Sequence, residues 1–457
     1  MIAKLVSADF RNELAQVVGD ANVRDVAFDG VAFDGIHPTF VVAPKDAEQV
    51  AAVLRFASDH NLVVVPHGGE TMQSTGYTPD RVDVLLDTVR LNSVLHYDAG
   101  DLTLSVGAGM KVLEVQEILA AHGQFLPLNP PNPDRSTIGG TLAANVCGPQ
   151  QVGYGSARDF CIGVEFVTGD GTIARGGGRV VKNVAGYDMM KLLIGSYGTL
   201  GVITSANFKV FPMPKQTKTF VLQFHDVAKM SEFLSNITRL PLSPIAMEVV
   251  SPLGMEYVSG SAKPRDPDHY MPISTVHVNV AWHVYLRAAS SDAVLARYAN
   301  DLGKEVKLTL QGDDEVALWR DLSDWPAKVA ERHPHSMQIQ LSFPKSYAAQ
   351  VLQQAESSAV ANNLLFTAAG RPTAGNMMAV LLPFTTDPAS SMQYANAVSA
   401  LRAELPNGCT VTALRCPKEA KERFDVWGTP KADLQLMREI RRTMDPKLIL
   451  NRGRYIV

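Results

Sequence analysis

Two glycine-rich stretches hold the residues best suited to chemistry. The first is Pro66-His67-Gly68-Gly69-Glu70-Thr71-Met72-Gln73-Ser74-Thr75-Gly76, built from glycines and small hydroxyl residues with little side-chain bulk. Such a loop can turn several backbone N–H groups toward one anion. A pyrophosphate suits it, because a doubly charged group needs many donors and this loop supplies them without a lysine. No Gly-Lys-Ser/Thr follows the glycines, so this is not a Walker loop, and the spacing is not that of a Gly-x-Gly-x-x-Gly dinucleotide fingerprint. The second stretch, Gly176 to Ile203, has a Gly-rich turn, an amphipathic segment around Met189 to Leu193, and a turn at Gly198-Thr199-Leu200-Gly201 that enters a strand from Val202 to Thr204. Taken alone it is either a pair of ordinary turns or backbone brought close to a ligand, since glycine serves both.

The elements that must position the first loop are legible upstream of it. Phe40 to Ala43 is a short apolar run ending at Pro44, and Asp46 and Gln49 then sit three apart, as a capping box requires. A helix should follow, with Val50, Val53, Leu54 and Ala57 on one face and Asn61 closing it before the run Leu62 to Val65. This is a βαβ unit whose second strand delivers the chain into the glycine loop.

Four segments in order then resemble the FAD-linked oxidases of the vanillyl-alcohol oxidase type. Pro66 to Gly76 is similar to that family's first phosphate loop. Pro130 to Asn145, which includes Pro131, Ser136, Thr137, Gly139, Gly140 and Ala143, resembles its second flavin loop. Gly153 to Asp159, with Gly155, Ser156, Arg158 and Asp159, resembles the segment after it, and Gly201, Val202 and Ile203 look like the closing strand against the adenine half. The ending Met444 to Tyr455 resembles the tail with which these proteins return to the flavin domain, with Arg452 in place of the usual proline. The wording Gly178 to Asp188, together with Asp425-Val-Trp-Gly428, is closest within the family to the smaller FAD-binding subunit of bacterial glycolate oxidase.

The resemblance implies an α+β protein: a two-lobed FAD-binding domain over residues 1–213, an antiparallel-sheet cap domain covered by helices over 214–415, and C-terminal helices and a tail over 416–457 that return to the first domain. It implies FAD held non-covalently by Pro66, His67, Gly68, Gly69, Glu70, Thr71, Met72, Gln73 and Ser74, by the residues just named in the later segments, and by Lys182 and Asn183 at the flavin edge. His67 precedes the glycines, where arginine is more often found, and is expected beside the pyrophosphate rather than as a covalent attachment point. The implied activity is oxidation of glycolate or a similar 2-hydroxy acid, together with a second flavin subunit and an iron–sulfur subunit. An accessory FAD-binding scaffold without turnover and a free-standing FAD oxidase of another alcohol are the alternatives.

Composition excludes other classes. At 457 residues and 46% hydrophobic content the chain can form two or three packed units. A net charge of −4 and a pI near 6.3 leave no broad basic surface for nucleic acid. No apolar run approaches the roughly 20 residues a spanning helix needs, so a cytoplasmic location is expected, with any membrane contact made through a partner. Cys147, Cys161, Cys409 and Cys416 form no Cys-x-x-Cys pair and read as reduced thiols.

Past Pro212, strands and helices alternate, which suggests an antiparallel sheet with helices on one face. Oxidising a 2-hydroxy acid needs a base and a cation for the carboxylate. Related catalytic subunits carry histidines in a Gly-Asp-Gly-Asn-x-His segment; the corresponding run here, Ala369-Gly-Arg-Pro-Thr-Ala-Gly-Asn-Met-Met378, keeps the asparagine and lacks the histidines, so no metal is expected. Arg371 and Arg415 are either carboxylate clamps or solvated surface arginines. His333 and His335 either face the flavin or form a surface turn. Trp319 should pack on the cap sheet, and no catalytic base is named.

Overall fold

The computed structural model describes residues 2–25, 32–179, 186–258, 281–384, 388–428 and 432–455. They fall into two compact units, one of Met1–Cys147, Gly155–Met213 and Thr429–Val457, the other of Gly148–Tyr154 and Pro214–Gly428.

The first unit has two lobes. In one, β1 (Val23–Asp25), β2 (Phe40–Val42), β3 (Val64–His67) and β4 (Val84–Asp87) lie in the order β1-β2-β4-β3, with β2, β4 and β3 parallel. The helix Ala47–Asp59 makes the crossover from β2 to β3, as the sequence indicates, but β4 is inserted between those two strands. Asp46 caps that helix by accepting from the Gln49 amide at 2.8 Å, while Gln49 Oε1 accepts from the Lys45 amide at 2.9 Å. Its apolar face, Val50, Val53, Leu54 and Ala57, is fully buried. Burying four such side chains stabilises the lobe by about 1 to 3 kcal/mol each, which is what fixes the end of β3 in space.

The next strands are β5 (Val94–Asp98), β6 (Thr103–Gly107), β7 (Gln124–Phe125), β8 (Cys161–Val167), β9 (Ile173–Gly177), β10 (Val202–Lys209) and β11 (Phe211–Pro212). The second lobe is the antiparallel sheet β5-β6-β10-β8-β9, and β7 pairs with β11. Because side chains alternate along a strand, β10 serves both lobes: Val202 buries among the first lobe's residues and Ile203 in the second lobe's core.

The C-terminal helix Leu434–Met444 leads into a tail that joins β3. The Asp445 carboxylate accepts from the amides of Ile449 (3.1 Å) and Leu450 (2.8 Å). The Val64 amide donates to the Ile449 carbonyl and the Asn451 amide to the Val64 carbonyl, both at 2.9 Å.

The second unit is one antiparallel sheet of β12 (Thr217–Phe224), β13 (Ala246–Val250), β14 (Trp282–Ala289), β15 (Val306–Leu310), β16 (Met337–Ser342), β17 (Leu364–Arg371), β18 (Asn376–Pro383) and β19 (Thr410–Arg415). Its order, β15-β12-β14-β13-β17-β18-β16-β19, resolves into two copies of strand-helix-strand-strand-helix-strand. In each copy a helix, Val227–Ile237 or Ala348–Ala361, joins the first strand to the second, and the third strand lies between them. The copies meet where their second strands pair, Val249 opposite Gly370 and Val250 opposite Ala369.

Helices cover both faces of this sheet rather than one. Tyr298 of the helix Asp292–Leu302 stacks on Phe220, while the neighbouring Val221 packs with Leu318 and Trp319 of the helix Gly312–Arg332 on the opposite face. The latter helix stands outside the repeat, and its Trp319 lies on the sheet as expected, donating from Nε1 to Thr219 Oγ1 at 2.8 Å. Two boundaries also differ from expectation. Residues 148–154 belong to the second unit, where the Met247 amide donates to the Pro149 carbonyl, and so do residues 416–428, where the Ala413 amide donates to the Val426 carbonyl.

Candidate functional site

β3 ends at His67, and the glycine loop begins there. The His67 imidazole is 11% exposed, with Nε2 2.9 Å from Glu70 Oε1 and Nδ1 3.7 Å from Asp87 Oδ1. Burial opposes protonation, but the carboxylates of Asp87 and Glu70 outweigh it and hold the imidazole above the ordinary histidine value. His67 is thus tied to protein carboxylates at the base of the loop.

The loop meets the 130–145 segment at backbone distance. A Cβ on Gly68 would fall on Thr137 Oγ1, and one on Gly69 would fall on the Arg135 carbonyl, so both positions need glycine for close approach. Ser136 Oγ donates to the Pro131 carbonyl at 2.7 Å and lies 3.1 Å from Thr71 Oγ1. The amide N–H groups of Gly68, Gly69, Glu70, Thr71 and Met72 donate to no protein acceptor among the described residues.

The amides of the second segment are used differently. Thr137 Oγ1 accepts from the Gly140 amide at 3.2 Å, Ile138 donates to the Met110 carbonyl at 2.9 Å, and Gly139 donates to the Ala108 carbonyl at 2.7 Å. Gly139 and Gly140 therefore spend their N–H groups inside the protein. The Ala143 carbonyl accepts from the Tyr197 amide at 2.8 Å. Asp159 folds back on Ser156, accepting from its amide at 2.7 Å and its hydroxyl at 3.0 Å, and fills the space beside Gly155. Arg158 donates to the Ile194 carbonyl at 2.8 Å. Gly201, Val202 and Ile203 are buried at the start of β10, where Val202 and Ile203 pair with Val167 and Phe166. Lys182 and Asn183 lie outside the described residues.

Around these segments the backbone is strained and buried polar atoms are left over. Glu70, Asn132, Asn145, Tyr197 and Asn451 all have φ between 44° and 61°, a region that costs a residue with a side chain of order 1 kcal/mol or more. Gln73 Nε2, Thr75 Oγ1, Ser196 Oγ and Asn451 Oδ1 are buried without a hydrogen-bond partner among the described residues. The C-terminal tail connects them. Asn451 Nδ2 donates to the Tyr197 carbonyl at 2.6 Å, and Arg454 Nη2 donates to the carbonyls of Gln73 and, at 2.8 Å, Thr75. Sequence reading missed Ser196, Tyr197, Asn451 and Arg454. Their signal was present in the Asn-Arg-Gly-Arg-Tyr ending, which marks a returning tail without saying which side chains reach the loop.

Comparison with known proteins agrees with this geometry. Residues 38–177 match the model of an FAD binding domain. The chain is 25% identical over 463 residues to glycolate oxidase subunit GlcD of Bacillus subtilis, covering 98% of this chain and 97% of that one. It is 36% identical over 161 residues to glycolate oxidase subunit GlcE of Escherichia coli, covering 35% and 45%, and 28% identical over 431 residues to D-2-hydroxyglutarate dehydrogenase of Xanthomonas citri pv. viticola, covering 92% and 89%. Among solved structures, p-cresol methylhydroxylase shares the fold with a TM-score of 0.75 at 17% identity, covering 98% of this chain and 96% of that one. Residues 38–177 therefore form an FAD binding domain. The chain is an FAD-dependent oxidoreductase, with FAD as cofactor.

The residues of this FAD-dependent oxidoreductase fit the cofactor on structural grounds of their own. A diphosphate needs clustered N–H donors and no intruding side chains, which the unspent amides beyond His67 and the closeness of Gly68 and Gly69 to the 130–145 segment provide. The polar parts of a nucleotide need buried partners, and the four unpaired atoms on Gln73, Thr75, Ser196 and Asn451 are such partners.

The surroundings of Arg371 in the second unit show the opposite pattern. Arg371 reaches a carboxylate, but it is the protein's own: Nη1 lies 3.1 Å from Glu248 Oε2, while Nε and Nη2 donate to Asn376 Oδ1 at 3.1 and 3.0 Å. Asn376 Nδ2 in turn donates to Gln151 Oε1 at 3.1 Å. Burial pushes the Glu248 carboxyl up to about 7 against the pull of Arg371. Arg415 is half-buried, its pKa lowered by desolvation, and donates to the Pro334 carbonyl at 3.4 Å. His333 Nε2 is 2.8 Å from the Tyr257 hydroxyl, and burial lowers its pKa. No group of three or more His, Cys, Asp or Glu side chains able to hold a metal occurs among the described residues, nor does a helix long and apolar enough to cross a membrane.

Proposed function

We propose that this chain oxidises glycolate or a similar 2-hydroxy acid as the FAD-binding subunit of a glycolate oxidase type complex, with a second flavin subunit and an iron–sulfur subunit as partners. The observation that carries it is the row of unspent amides from Gly68 to Met72 beside the unpaired atoms of Gln73 and Thr75. The glycolate oxidase, D-2-hydroxyglutarate and D-lactate enzymes among its relatives support the substrate class.

Bound FAD supplies the hydride acceptor for oxidation of the α-carbon. Gly68 to Met72 hold the pyrophosphate through their amides, with Ser74 following them in the loop and with Pro66 and the His67 imidazole fixing where the loop starts. Pro131, Ser136 and Thr137 close the loop from the opposite side, and Gly139, Gly140 and Ala143 keep that segment close. Gly155, Ser156, Arg158, Asp159, Gly201, Val202 and Ile203 shape the remaining wall, and Lys182 and Asn183 stay nominated from the sequence. The His67 imidazole lies against Glu70 and Asp87, which supports a flavin held non-covalently.

Anaerobic addition of glycolate and of D-lactate to the purified chain tests the substrate class. Bleaching of the flavin absorbance supports it; a flavin that stays oxidised with both, alone and with partner subunits, removes it. One observation favours a second reading, an accessory flavoprotein subunit. Arg371 is engaged by Glu248 and Asn376, so one of the two candidate cations for a substrate carboxylate is already occupied.

A further inference from the structure

We propose that Arg454, on the C-terminal tail, is a positioning residue that sets how tightly the first glycine loop holds FAD. It rests on the assignment of FAD to that loop and adds a device that the glycine pattern does not contain. Arg454 is 9% exposed, and one nitrogen of its guanidinium, Nη2, serves both the Gln73 and Thr75 carbonyls. Its own carbonyl accepts from the Tyr77 amide at 3.0 Å, so the tail grips the far end of the loop by side chain and backbone together. Carbonyls drawn toward Arg454 are kept from facing an anion that approaches the amides of Gly68 to Met72.

The grip transmits because its anchor is fixed. The tail is bonded on both sides to Val64 of β3, the strand that launches the loop, and Asp445 holds Ile449 and Leu450 from beneath. The guanidinium lies over the Phe33 ring, 5.4 Å from its centroid, and Asp34 faces it electrostatically. A buried guanidinium is expensive to desolvate unless its hydrogens are used. Here the Nη2 hydrogens go to loop carbonyls, so part of the cost of burial is offset by the loop in this shape. Asn451 does the same for the strained turn at Tyr197, donating to its carbonyl while Oδ1 stays unpaired.

The test compares apoprotein of the wild type, Arg454→Lys, Arg454→Gln and Arg454→Met, titrated with FAD by flavin fluorescence, with the melting temperature of each apoprotein measured alongside. Loss of charge-assisted hydrogen bonds predicts FAD binding about ten- to a hundred-fold weaker in Arg454→Met, a smaller loss in Arg454→Gln, and largest recovery with Arg454→Lys. Arg454→Gln carries the same test if Arg454→Met does not fold. Unchanged affinity in Arg454→Gln and Arg454→Met, or lower melting temperatures with unchanged affinity, would overturn the proposal. A wild-type apoprotein that takes up no FAD would instead overturn the assignment beneath it.

Discussion

Two clusters of buried polar groups, one in each unit, serve opposite ends. In the second unit, Arg371, Glu248, Asn376 and Gln151 form a closed chain of hydrogen bonds, and Arg287, Glu315, Thr217 and Thr219 form another, with Glu315 accepting from both threonines at 2.6 Å. In the FAD-binding unit, Gln73, Thr75, Ser196 and Asn451 each keep a buried polar atom without a partner among the described residues, and Glu70, Asn132, Asn145, Tyr197 and Asn451 hold a positive φ. Buried polar groups are almost always paired, and strained backbone persists only where its surroundings over-determine it. Charged residues in a conspicuous motif are therefore a poorer guide to a ligand than donors that the fold has not used.

The sharpest way to break this contrast is Gly69→Val. A β-branched side chain there would drive into the Arg135 carbonyl, so the purified variant should contain no flavin by absorbance ratio. Full occupancy would take the loop out of the site.

Arg371→Met addresses the other half of the comparison. Removing the cation leaves Glu248 buried without its partner, which predicts a loss of about 3 to 5 kcal/mol in denaturant unfolding, with FAD content per folded chain unchanged. A loss below about 1 kcal/mol would show that Arg371 is not committed to the fold.

Asp46→Ala removes the cap of the crossover helix and should cost about 1 kcal/mol, again read by denaturant midpoint, with no change in flavin content.

The smallest effect concerns His67. Its folded pKa is raised, so its stabilising contribution is complete below the ordinary histidine value and is lost as pH rises through the folded one. The wild-type melting temperature should carry a downward component as pH rises past the ordinary histidine value that His67→Gln lacks. Parallel curves would show that the carboxylates of Glu70 and Asp87 do not stabilise its charge.

Much of this was legible in the chain itself, for identifiable reasons. Capping by Asp46 and Gln49 and the face of Val50, Val53, Leu54 and Ala57 are local rules, and the structure keeps them. Glycine at 68 and 69 reads from the sequence as a backbone and phosphate requirement, whereas in the structure it is the approach of Thr137 and Arg135 that demands it. What sequence could not carry was long-range. β4 lies between β2 and β3 although it comes after both, the helix Gly312–Arg332 takes the face of the sheet opposite the helix Asp292–Leu302, and residues 416–428 stay with the second unit because the Ala413 amide finds the Val426 carbonyl. Arg371 stayed open between a carboxylate clamp and a solvated surface arginine because its carboxylate, Glu248, is 123 residues away along the chain. Arg454 was passed over for the same reason, since its partners Gln73 and Thr75 lie near the other end of the sequence.

The central claim is that the first unit is built around non-covalent FAD. Acid precipitation of the purified protein, with a spectrum of the supernatant, tests it most directly. Equimolar FAD released into the supernatant is the predicted result. A colourless protein that cannot be reconstituted with FAD, or flavin that stays in the pellet, would contradict it.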